Sequence, residues 1–115
     1  MSDSILTTTK KVLGLAESYT AFDTDVIMHL NSALSVLDQI GVGPTGGVYV
    51  TDTTRTWASM GLPPEQLALT KSYIFLRVKA LFDPPPTSFA IEAMNEQIKQ
   101  FEWRLNVMRE GAVEP

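Results

Sequence analysis

Cysteine is missing from all 115 residues, which excludes a disulfide framework, a thiolate metal site and a cysteine nucleophile. Histidine occurs once, at His29, so no pairing of a nucleophile with a base and an orienting acid can be assembled around a choice of imidazoles. Basic residues are scarce as well: nine Lys and Arg stand against thirteen Asp and Glu, a net charge of −4. Tight binding to phosphates relies on clustered cations, and Lys10, Lys11, Arg77 and Lys79 are too dispersed to make a basic groove. No run approaches the ~18 uninterrupted apolar residues of a membrane-spanning helix. The segment Ile5 to Leu15, broken by three threonines and two lysines, lacks the apolar stretch of a signal peptide. The expectation is a protein made in the cytoplasm that neither reads nucleic acid nor enters a membrane.

What is present is a globular composition, with 44% hydrophobic residues, two Trp, five Phe and three Tyr. A chain of 115 residues fits one domain with one modest core. Gly and Pro divide it into four helical patterns and one irregular excursion. The fold class expected is all-α, a small bundle of about four helices with a short irregular or hairpin arm between the second and third. The helices are expected at about 4–13, 23–40, 64–82 and 88–110, the arm at 41–62 and a flexible tail at 111–115.

Each boundary has a local cause. Asp3 or Ser4 can cap the first helix and Gly14 can end it. Asp23 reads as the N-cap of the second, with Phe22 stapled onto Ile27. Val26, Ile27, Leu30, Ala33, Leu34, Leu37 and Ile40 make one stripe of that helix, and Met28, Asn31, Ser32, Ser35 and Gln39 lie opposite. Gly41-Val42-Gly43-Pro44 stops it, and Val48-Tyr49-Val50-Thr51 suits a short extended piece. Pro64 fits the first turn of the third helix, where its missing N–H has no intrahelical partner to lose. Leu67, Ile74, Val78 and Leu81 lie on one side of that helix and Leu69, Tyr73, Leu76 and Ala80 on the other, as expected for a central helix. Pro84-Pro85-Pro86 must end it, and Thr87 or Ser88 caps the last.

In the last helix Ile91, Met94, Ile98, Phe101, Leu105 and Met108 follow a heptad-like rhythm and read as a core stripe. Phe89, Trp103 and Val107 project almost opposite, among Glu96 and Gln100. So small a domain can hardly bury both faces, so this side is expected to meet a neighbouring subunit, unless Trp103 packs under the excursion at Gly43 to Thr56. His29 and Asp25, one turn apart, offer two metal ligands but no third, so His29 is read as a boundary residue. The glycines of 41–47 are not followed by Gly-Lys-Ser/Thr, so no phosphate-cradling loop is expected. Asp23 and Asp25 read as capping and first-turn charges. No catalytic residue, cofactor or metal is expected, and the protein is read as not an enzyme.

The chain resembles the head-tail connector family of tailed bacteriophages, the adaptor beneath the portal. The resemblance lies in Ile5-Leu6-Thr7-Thr8-Thr9-Lys10-Lys11-Val12-Leu13-Gly14-Leu15, in Phe22-Asp23-Thr24-Asp25 leading into Asn31-Ser32-Ala33-Leu34, and in Gly41-Val42-Gly43-Pro44. It continues in Leu81-Phe82-Asp83-Pro84-Pro85-Pro86, Ser88-Phe89 and Glu102-Trp103-Arg104-Leu105-Asn106. It implies a structural virion protein at the head-tail interface. Its partners would be further copies in a ring of twelve, the portal protein above and a head-closure or tail-completion protein below, with genome DNA passing through a channel without sequence-specific binding. It also implies a portal contact through Met108, Arg109 and Val113, and an arm from Val48 to Trp57, with Tyr49 and Trp57, reaching the next subunit or the lumen. The competing reading is a small soluble phage-encoded regulator or binding module acting as a monomer or dimer.

Overall fold

The computed structural model describes residues 3–113, with side chains described as far as Met108. Four helices form the body: α1 (Ile5–Val12), α2 (Asp23–Ile40), α3 (Pro64–Phe82) and α4 (Ser88–Val113). A short 3-10 turn, Trp57–Met60, lies between α2 and α3. This is an all-α bundle, and α3 packs against both α2 and α4.

Ser4 caps α1 by accepting a hydrogen bond at its Oγ from the Thr7 amide at 3.2 Å. The helix ends in a Schellman motif: the Gly14 amide donates to the Lys11 carbonyl and the Leu15 amide to the Lys10 carbonyl. Gly14 sits at φ +80°, a conformation that costs a residue with a Cβ. Asp23 does not cap α2 as expected. It is the first helical residue, with Phe22 flanking, and its carboxylate pairs with Lys10 Nζ at 2.8 Å. The Lys10 side chain is 3% exposed and also donates to the Glu17 carbonyl at 3.0 Å, so this buried cation recruits the acid that the helix start would otherwise use. The Phe22 ring meets Phe82 and Tyr19 edge-on, at centroid separations of 5.5 and 5.7 Å.

The core holds Ile5, Leu6, Val26, Leu30, Leu34, Leu37, Tyr73, Ile74 and Val78, with Ile98 and Leu105 from α4. Ile27 and Ile40 flank it partly buried. The segment between α2 and α3 is irregular, and no strand forms among the described residues; the one bridge joins Ser4 to Thr56. The hairpin alternative is thereby set aside, because this segment satisfies its backbone elsewhere. Asn31 bonds both polar groups of Val50, the Trp57 amide donates to the Asp3 carbonyl, and the Ile5 amide donates to the Arg55 carbonyl. Val48, Val50, Trp57 and Met60 are buried, so the expected arm lies folded on the body. The last helix, expected to end near residue 110, extends through Val113, and residues 114–115 of the expected flexible tail lie outside the described residues.

Candidate interaction surface

From its middle and C-terminal half α3 supplies Tyr73 and Arg77, and α4 supplies Glu102 between them. The Tyr73 hydroxyl donates to Glu102 Oε2 at 2.8 Å and Arg77 Nη1 donates to the same oxygen at 3.1 Å. Tyr73 is fully buried, and that burial, together with the bond to Glu102, pushes its phenol well above the ordinary value of 10.0. This node, with Ile98 and Leu105, fastens the middle of α4 to the body.

Only a narrow stripe of α4 is covered. Met94, Phe101 and Met108 are partly buried, while Ile91, expected in the same stripe, is 39% exposed. Asp83 and three prolines carry the chain away from α3, so the first turns of α4 stand clear of the core. The opposite face is open: Phe89 is 82% exposed, Trp103 66% and Val107 43%. Trp103 therefore does not pack beneath the segment between α2 and α3. Tyr49 is 46% exposed, its backbone carbonyl accepting from Arg55 Nε at 3.1 Å.

Trp57 is corrected as an interface residue. It is 1% exposed, donates from Nε1 to Thr8 Oγ1 at 2.9 Å and meets Phe75 edge-on. Lys71 Nζ lies 5.3 Å from the centroid of its ring. Its indole fills the space between α1 and α3, a role its position in an irregular segment does not signal. Of the residues assigned to the portal contact, Met108 is partly buried, and the side chains of Arg109 and Val113 lie outside the described ones. His29 is partly buried on α2, and no group of three or more His, Cys, Asp or Glu among the described residues is placed to hold a metal ion. No helix among the described residues is long and apolar enough to cross a membrane.

Two features were not legible in the sequence. Asn31, placed on the polar face of α2, is the clamp that docks Val50. Lys10, one of several scattered cations, is a buried tie between α1 and α2. Neither carries a local signal, because both act on partners distant in the chain.

The described residues include an exposed aromatic face on a long helix, a surface suited to binding another protein. Among known proteins, the family model described as phage connector protein matches residues 5–112. No curated protein and no solved structure matches the chain.

Proposed function

The chain belongs to the phage connector protein family, and from that premise we propose that it is a ring-forming head-tail adaptor. Copies assemble beneath the portal, join the capsid to the tail and leave a central channel for the genome. The observation that carries this reading is the outer face of α4, where Phe89, Trp103 and Val107 lie exposed together. Large aromatics exposed on one face of a small protein mark a surface that another protein covers. Tyr49, at 46% exposure, is a further contact candidate on the segment between α2 and α3.

The C-terminal end of α4, with Met108, Arg109 and Val113, docks onto the portal, and a head-closure or tail-completion protein binds the opposite side. DNA slides through without tight binding because a chain of net charge −4 provides few cations to release phosphate counterions. Acting in this way, the protein is structural and catalyses nothing. It is assembled in the host cytoplasm and resides in the virion neck.

Negative-stain imaging of the protein mixed with the portal protein of the same phage tests the reading. An added ring of density on the portal, with an open centre, is expected. A portal that never gains density, with a protein that stays a monomer or dimer at every concentration, contradicts the adaptor role and favours a small regulatory module. Neutralising the acidic residues that line the channel should slow DNA ejection, and unchanged ejection would remove the acidic-lining part of the account.

A further inference from the structure

Two cavities meet along one flank of α4. One, of ≈ 420 Å³, lies between α3 and α4 and is lined in part by Arg77, Leu81, Ile98 and Lys99. The other, of ≈ 500 Å³, opens between α2 and α4, with Val36, Ile40 and Trp103 in its wall. Lys99 and Glu102 line both, so the two make one continuous groove. Its wall is mixed, with Leu81, Ile98, Val36 and Ile40 between polar side chains, and Leu81 is 49% exposed. The Glu102 carboxylate is already bonded to Tyr73 and Arg77. Arg77 is neutralised by that carboxylate, whereas Lys99 has no ion pair among the described residues. The groove thus presents one uncompensated positive charge, that of Lys99, beside apolar side chains.

The complement lies at the start of the same helix. From Ser88 to Ile98 there is no basic residue, and Glu92 and Glu96 are exposed, without ion pairs among the described residues. Phe89, the most exposed of the large apolar side chains, stands beside them. At ~1.5 Å per residue, Phe89 to Glu96 is a patch roughly 10 Å long.

We propose that the Phe89 to Glu96 patch of one copy seats in the Leu81, Lys99 and Trp103 groove of the next copy, with Phe89 against Leu81 and the two carboxylates facing Lys99. This rests on the ring reading above and names the contact within it. At ~100° per residue, Glu92 lies within roughly 20° of Lys99 and Trp103 on α4, and Glu96 within roughly 20° of Trp103, so patch and groove are separated along the helix, by two turns or roughly 10 Å, rather than around it. Seating a patch in one neighbour therefore leaves each copy's own groove open for another. The contact is head-to-tail, the kind that closes into a ring or continues until a template stops it, whereas a two-fold pairing would consume both surfaces in a dimer.

The absence of cysteine makes a direct test possible. Ala93→Cys places a thiol beside the patch and Gln39→Cys places one at the groove, both at exposed positions outside the proposed contact. The double variant, treated with a short bis-maleimide alone and on the portal, should give a ladder of species beyond the dimer, and neither single variant should. Adding Glu92→Lys and Glu96→Lys should lower the ladder at least roughly ten-fold through like-charge contact, and a further Lys99→Glu should restore part of it. Products that stop at the dimer, or no product from a protein that still forms rings, would overturn the head-to-tail contact while leaving the ring reading standing. A protein that associates neither with itself nor with the portal would end the ring reading and this contact together.

Discussion

Asn31 and Val50 exchange two hydrogen bonds: Asn31 Nδ2 donates to the Val50 carbonyl at 2.9 Å, and the Val50 amide donates to Asn31 Oδ1 at 2.7 Å. A side-chain amide here stands in for a neighbouring strand, satisfying a fully buried residue in a segment that has no sheet to join. Asn31→Ala leaves both backbone groups of Val50 unpaired, at a cost of about 1–3 kcal/mol. Urea unfolding should show that loss, and the Val50 amide should exchange faster with solvent than in the wild type. Unchanged stability and exchange would mean that apolar packing alone docks the segment.

The two tryptophans should behave oppositely. Trp57→Ala empties a buried site and removes the donor to Thr8, at a cost of about 3–5 kcal/mol, enough to unfold much of a marginally stable domain. Trp103→Ala, on the open face of α4, should change stability by no more than about 0.5 kcal/mol. It should instead weaken self-association. Thermal unfolding of both variants alongside sedimentation of the Trp103 variant checks the contrast, and a Trp103→Ala protein that folds and assembles like the wild type removes that face from the interface.

Tyr73 predicts how stability varies at alkaline pH. Burial and the Glu102 carboxylate raise its folded value above the unfolded value of 10.0, so the folded state holds the phenolic proton where the unfolded state releases it. The stabilisation is fully present below pH 10 and is lost as pH rises further. Tyr73→Phe should flatten that part of the stability curve, and a titration followed by circular dichroism should show it. Identical alkaline transitions in both proteins would contradict the assignment.

Truncation after Val107 removes the end of α4 beyond Leu105, the last core residue that the helix contributes. The shortened protein should unfold within a few degrees of the wild type yet bind the portal more weakly. Portal affinity measured by interferometry decides the point: equal binding by both lengths would place the portal contact elsewhere.

The sequence made the helices legible where local chemistry sets them. Pro64 at the start of α3, the three prolines after it and the Ser4 cap act on their immediate neighbours, and the stripe from Val26 to Leu37 follows from the helical period alone. The segment from Val48 to Met60 was not legible in this way. Its conformation is set by Asn31, Asp3 and Thr8, all distant in the chain, so its turn residues left an irregular and a hairpin arm both open, and the segment is irregular. The last helix was expected to end near residue 110, but a glycine inside a helix costs only about 1 kcal/mol and α4 runs past Gly111. At the surface, the outer face of α4 was visible as a second apolar face on one helix. Trp57 was misassigned because an indole in an irregular segment gives no sign of where it is buried.

The most direct test is native mass spectrometry of the protein bound to its portal, which counts copies per complex. Twelve copies on each portal ring is the predicted result. One or two copies per portal would contradict the adaptor ring.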